Sequence, residues 1–235
     1  MEIKVNQLPQ KIKDGCLLDA MVNLHFKTEL VQSVIEKAIE EKLYSLIGVG
    51  LFSKIPVIDN GEVLKGRTFF ANDIYRIMVV SDTLSFNIVK GYPTWSPYKS
   101  FVRDLISALL DKITITNVDV RYMSHFGNIP LFENIDGIIK LNQLQAFQGA
   151  RYTFQCFVND GVPGRIPAQA TVNLTDRQQV VPGRLESIVD ISVSSEVNGI
   201  AVDDIIRALD FVHICEKYLF FTIISEGFYQ QLKVE

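Results

Sequence analysis

Alternation of apolar and polar positions marks the first element of this chain. In residues 19–28, Val22, Leu24 and Phe26 fall on one face and Asn23, His25 and Lys27 on the other, the two-residue period of a half-buried strand. Spacing of three and four then takes over at Val31, Val34, Ile35, Ala38, Ile39, Lys42, Leu43 and Leu46, with Glu36, Lys37, Glu40 and Glu41 opposite. That pattern predicts an amphipathic helix laid on the sheet. Between Leu51 and Val89, Asp59-Asn60-Gly61, Asn72-Asp73 and Ser81-Asp82 punctuate three hairpin-like segments, so an antiparallel meander is expected. Ser96-Pro97 reads as an N-cap followed by Pro at the first helical position, and Tyr98, Phe101, Val102, Leu105 and Leu109 give the stripe of a second helix over residues 97–111. Val118, Val120 and Tyr122 alternate with Asp119, Arg121 and Met123 as a further strand.

Periodicity weakens from His125 to Gly149, where Gly127, Pro130, Asn134 and Gly137 suit a connection, and a boundary is expected near residue 140. Beyond it, residues 150–158, 167–175 and 188–194 read as strands. The closing helix takes Asp203 or Asp204 as its cap and sets Ile205, Leu209, Val212, Leu219 and Ile223 on one line; Glu216 interrupts that line, and Gly227 ends or kinks the helix. The expected class is therefore α+β, with antiparallel sheets covered by amphipathic helices. Residues 1–140 and 141–235 form two sheet-plus-helix halves, either separate or packed as one compact unit.

Composition narrows the function classes. With 48% apolar and 21% charged residues over 235 positions, the chain is globular. A net charge of −4, from 23 basic and 27 acidic residues, lays down no positive footprint for phosphate backbones, so nucleic acid is disfavoured. The longest near-apolar run, Tyr218 to Ile224, is far short of the roughly 20 residues of a spanning helix, and no membrane segment is expected. The opening Met-Glu-Ile-Lys-Val-Asn lacks the features of a signal peptide, which places the protein in the cytoplasm. Cys16, Cys156 and Cys215 are too widely spaced for a metal or redox motif and read as buried or half-buried thiols.

Little chemistry stands out. His25, His125 and His213 share no metal-ligand spacing, and neither a nucleophile elbow nor a phosphate loop occurs: Ser124-His125 lacks flanking glycines, and Gly48-Val49-Gly50 lacks the third. No metal and no cofactor are expected, and the balance leans away from an enzyme. Asp190 interrupts an apolar strand and reads as solvent-facing. Asp119 and Arg121 share a strand face and suit an ion pair. Arg76 shares its face with Ile74, Met78 and Val80, and an Arg in apolar company seeks a carboxylate or phosphate. Arg67, Arg76 and Arg121 are thus candidates for an anion site, with His125 beside Arg121 at a strand-to-loop junction; Arg76, Arg121 and His125 form the candidate ligand set.

Phe220 and Phe221 are adjacent, so they point about 100° apart on a helix and cannot enter one groove together. Phe220 is expected in the core, while Phe221 and Phe228 are candidates for an interface with a protein partner or a second subunit.

Four segments carry a resemblance: 19–26 (Asp-Ala-Met-Val-Asn-Leu-His-Phe), 91–101 (Gly-Tyr-Pro-Thr-Trp-Ser-Pro-Tyr-Lys-Ser-Phe), 119–124 (Asp-Val-Arg-Tyr-Met-Ser) and 187–213, which opens Ser-Ile-Val-Asp-Ile-Ser-Val and ends Leu-Asp-Phe-Val-His. Together they resemble a sporadically distributed family of uncharacterised bacterial proteins of about this length. The resemblance implies an opening strand, an aromatic segment leading into a helix (Tyr92, Trp95, Phe101), an Arg-Tyr strand (Arg121, Tyr122) and a closing helix with His213. It implies no activity. The chain departs from the family pattern at Met123-Ser124 and at Ser192. The patchy distribution suggests mobile or defence-related gene neighbourhoods, hence a non-enzymatic, protein-binding accessory subunit of a multi-gene system. The alternative is a small-anion or nucleotide-binding module or enzyme built on Arg76, Arg121 and His125.

Overall fold

A computed structural model describes residues 12–13, 15–46, 51–59, 62–135, 150–158, 167–197 and 200–232, leaving aside the side chains of 58–59 and 62–68. In chain order the elements are β1 (Leu17–Lys27), α1 (Gln32–Ser45), β2 (Ser53–Asp59), β3 (Glu62–Ala71), β4 (Tyr75–Val80), β5 (Thr83–Ile88), α2 (Trp95–Ser107), β6 (Thr114–His125), β7 (Arg151–Val158), β8 (Ala168–Val181), β9 (Arg184–Glu196), α3 (Val202–Ile223) and α4 (Glu226–Leu232). The class is α+β, but the strands form one sheet, in the order β2-β3-β4-β5-β1-β6-β9-β8-β7, and every pairing with a described register is antiparallel. The boundary expected near residue 140 lies outside the described residues. Two compact units divide the chain within β1, β6, β9 and α3. A meander unit holds Ala20–Asp119 and Glu196–Asp210, and a hairpin unit holds Met1–Asp19, Val120–Ser195 and Phe211–Glu235.

In the meander unit the alternation of β1 works as the sequence implies: Ala20, Val22, Leu24 and Phe26 are buried while Met21, Asn23 and His25 are half-exposed. The expected meander is β2 to β5. Helix α2 supplies the aromatic core. Phe101 stacks on Tyr75 with ring centroids 4.3 Å apart and meets Phe86 edge-on at 6.3 Å. Tyr98 reaches into the sheet, where its hydroxyl accepts from Val22 N–H (3.1 Å) and donates to Phe86 C=O (2.5 Å), and these two residues are register partners across β1 and β5. Helix α2 starts at Trp95, two residues before the expected Pro97 start, and its N-cap Thr94 makes no side-chain cap. What holds this end is Asp210 of α3, which accepts from the Trp95 indole (2.7 Å) and pairs with Lys99 (2.8 Å). The α1 stripe is narrower than expected: Ile35, Ile39 and Leu43 are buried, whereas Val31 and Val34 are exposed.

In the hairpin unit β7, β8 and β9 pair in series, and Ala170, Val172, Leu174, Val189, Ile191 and Val193 form the buried face. Tyr122 of β6 and His213 of α3 lie ring to ring at 5.6 Å. In the part of α3 that belongs to the meander unit, Asp204 sits in the first turn and accepts from Ala201 N–H at 3.1 Å, the backward reach of a capping box. Gly227 does follow a break, with α4 beginning at Glu226. That turn folds Phe228 inward, edge-on to Phe126 at 5.0 Å and with no exposed surface, so the interface expected of it is corrected to core. Phe220 is buried as expected, and Phe221 is half-buried between Phe220 (5.1 Å) and Tyr229 (5.3 Å).

Glu216, the residue that interrupts the α3 stripe, is carried into the core. Burial pushes its carboxyl up to about 8, with the Lys217 charge acting in the opposite sense. A carboxyl whose folded pKa is raised contributes stability that is complete below its unfolded value and lost as pH rises through the folded one. Over the window from about 4.5 to about 8 the native chain therefore loses stability on this account, and Glu216→Gln does not. Chemical denaturation at pH 5 and pH 8 should find the Gln variant more stable than the native chain at pH 8, by a few kcal/mol, with the gap shrinking toward pH 5.

Candidate functional site

The faces of β6, β9, β8 and β7 opposite the buried one carry neutral and charged polar side chains in register. Pairing of β8 with β9 sets Asn173 beside Asp190 and Thr171 beside Ser192; pairing of β7 with β8 sets Thr153 beside Asn173 and Gln155 beside Thr171. Since Cβ positions alternate along each strand, this register aligns a cross-strand row of hydrogen-bonding groups. From β6, Arg121 makes a two-pronged pair with Asp190, Nε to Oδ1 at 2.8 Å and Nη2 to Oδ2 at 2.9 Å. Asn173 Nδ2 contacts Asp190 Oδ2 at 3.4 Å, and the Thr153 hydroxyl donates to Asn173 Oδ1 at 2.8 Å. The row ends in the open, where Phe157 on the same face of β7 is 76% exposed.

At the end of β6, His125 Nδ1 lies 3.1 Å from Glu186 Oε2, which also accepts from Gly127 N–H (3.0 Å), while Arg184 Nε donates to Oε1 (2.7 Å). Burial raises the Glu186 carboxyl, but hydrogen bonds from Arg184, His125 and Gly127 outweigh it and hold the group below its ordinary range. Nearby, the buried Asp176 accepts from Leu131 N–H (2.6 Å) and pairs with Arg177 (2.9 Å), which fixes the turn after β6.

In the meander unit a second network occupies the half-exposed face of β1. Asp119 accepts from Asn23 Nδ2 (2.9 Å) and lies 3.1 Å from His25 Nε2, while the Thr83 hydroxyl is 3.1 Å from His25 Nδ1. Asp119 thus has partners on β1, and Arg121 has one on β9.

The three candidate ligand residues are each already engaged. Arg121 and His125 sit four residues apart on β6, each opposite a carboxylate. Arg76 lies on β4 in the meander unit, and its guanidinium rests over the Phe69 ring at 4.8 Å, so its apolar company supplies the partner as an aromatic face. The Arg67 side chain is outside the described residues. Asp190, expected to face solvent, is buried and clamped by Arg121, because β6 and β9 are neighbours in the sheet. Asn173, Thr153 and Glu186 belong to no sequence motif, and the one local signal for the polar face is the alternation of Gln169, Thr171 and Asn173 along β8. Among the described residues no group of three or more His, Cys, Asp or Glu is placed to hold a metal ion, and no helix is long and apolar enough to cross a membrane. No disulfide joins the three cysteines; Cys215 is buried and Cys16 and Cys156 are half-buried.

Neither the protein-family models nor the curated proteins compared with this chain match it.

Arg121→Ala should leave the Asp190 carboxylate, 12% exposed, without its main partner and lower the unfolding free energy by about 1–3 kcal/mol. Replacing both residues by apolar ones of similar size should recover much of that loss in urea titrations.

Proposed function

We propose that this chain acts by binding another protein, as an accessory subunit of a bacterial, defence-related multi-gene system, and that the contact surface is the polar face of β7, β8 and β9. The observation that supports this most is the row itself: Thr153, Gln155, Thr171, Asn173 and Ser192 stand in register on a sheet, partly hydrogen-bonded to one another, beside the exposed ring of Phe157. Side chains held by their neighbours lose little entropy when a partner arrives, and an aromatic anchor next to adaptable hydrogen-bonding groups is a composition typical of recognition surfaces. The anion-binding alternative fares worse on electrostatic grounds. An anion approaching Arg121 would meet the Asp190 carboxylate and one approaching His125 the Glu186 carboxylate, so it would have to displace a negative partner already in place.

Thr171→Arg places a long cation in the middle of this face without touching the buried side. Tagged wild-type protein, recovered from its host and analysed by quantitative mass spectrometry, should retain a stoichiometric partner that the Thr171→Arg variant loses at least tenfold. Ile200→Arg, at an exposed position in the meander unit, should keep that partner. Equal recovery with Thr171→Arg, at unchanged circular dichroism, would overturn the reading.

A further inference from the structure

We infer that β7 is a joint between two copies of this chain, with the Arg151–Val158 strands of two molecules pairing antiparallel about a two-fold axis at Gln155. The observations lie on the edge of the sheet rather than on its face, so the inference stands apart from the partner proposed above.

The two ends of the strand order are built differently. At one end β2 carries Pro56, which has no amide hydrogen to offer a neighbour, a register shift between Pro56 and Ile58, and Lys54, whose ammonium sits 3.7 Å from Glu36 and 3.6 Å from Glu40 of α1. Proline, lysine and irregular register are the devices by which edge strands avoid pairing with other chains. At the other end β7 has none of them. It keeps unbroken register with β8 from Arg151↔Thr175 to Val158↔Ala168, and Tyr152, Thr153, Phe154, Phe157 and Val158 are residues that favour strands. Among the described residues β7 has a strand on one side only.

The layer around β7 is also incomplete. On β8 the inward residues Ala170, Val172 and Leu174 are buried, yet on β7 the inward Tyr152, Phe154 and Cys156 are half-exposed, and Phe157 projects from the other face. Both faces of β7 keep apolar area that the side chains of one more strand would cover.

A second copy fits this edge. Pairing about Gln155 puts same-face residues opposite one another, as a continuous sheet requires: Gln155 meets its equivalent, Thr153 meets Phe157, Phe154 meets Cys156 and Tyr152 meets Val158. Thr153–Phe157 is a β-branched–aromatic pair of the favourable kind. The single charge of the strand, Arg151, is carried to the far ends, about 27 Å from its equivalent at 3.4 Å per residue, so like charges do not meet. The same-face positions of β7, β8 and β9 cover about 400 Å² at ordinary strand spacings, and joining two copies brings this to about 800 Å², the area one partner contributes to a standard interface. An eight-residue joint is itself small, so the pairing should be reversible, with Kd in the range of about 1–100 μM.

Gln155→Cys on a Cys156→Ser background tests the register with purified protein. Mild oxidation should link Gln155→Cys into covalent dimers at least fivefold faster than Thr171→Cys on the same background, because only position 155 faces its own equivalent. Sedimentation velocity of the native chain should show a monomer–dimer equilibrium over about 1–200 μM. That equilibrium should vanish with Thr153→Lys/Phe157→Lys, which loads the joint with like charges. A native chain that stays monomeric throughout that range overturns the inference, as does cross-linking at position 171 that equals or exceeds that at 155. Oxidation needs no disruptive substitution, so misfolding of the double-lysine variant would not obscure the result. Because no second protein is present, failure here leaves the Thr171-dependent capture experiment standing.

Discussion

Everything in this molecule depends on one parity rule: on each strand only every second residue can face the helices. Once Val22, Leu24 and Phe26 of β1 point toward α2, their neighbours Asn23 and His25 must point the other way, and antiparallel register passes the same choice to β5, where Leu84 and Phe86 are buried. In the hairpin unit the same rule buries Val172 and Leu174 and turns out Thr171 and Asn173. The polar rows on the outward faces are the complement of the core. Their positions are set by packing, and what varies freely is their chemistry.

That chemistry is spent largely on neutralising itself. Arg121 is matched to Asp190 and His125 to Glu186 between β6 and β9, His25 to Asp119 between β1 and β6, and Arg184 to Glu186 along β9 itself. On an outward sheet face such pairs add little stability individually when exposed. Those with a carboxylate as shielded as Asp190 or Glu186 matter more for what they forbid, since sliding the strands by one position would leave a desolvated charge alone. They act as register locks. β6 and β9 are neighbours in the sheet without being joined by a hairpin turn, so no turn sets their register and side-chain pairs between them can.

Local pattern carried much of the reading from sequence. Strand β1, helix α1, the meander and the strands after residue 150 all follow from periods of two or of three and four, which depend on residues close together in the chain. What escaped depends on contacts far apart in it. The early start of α2 rests on Trp95 and Lys99 meeting Asp210, 115 and 111 positions away. Asp190 looked like a solvent-facing interruption because nothing near it in sequence reveals Arg121, 69 positions upstream. Arg76 keeps apolar company, and its partner across the sheet is an aromatic ring, Phe69 of β3, which apolar spacing along β4 does not reveal. Phe228 was misplaced for the same reason: the break before α4 decides its direction, and periodicity carried past a break loses its phase.

The Tyr98 hydroxyl has a consequence for how the meander unit comes apart. It takes the amide hydrogen of Val22 and serves the carbonyl of Phe86, so a helix residue stands within the ladder that joins β1 to β5. Undocking α2 therefore strands a buried amide and a buried carbonyl at the centre of the sheet, and loosening that strand pair strands the phenol. Helix release and strand separation become a single cooperative event, and this part of the chain opens as one foldon instead of fraying by layers.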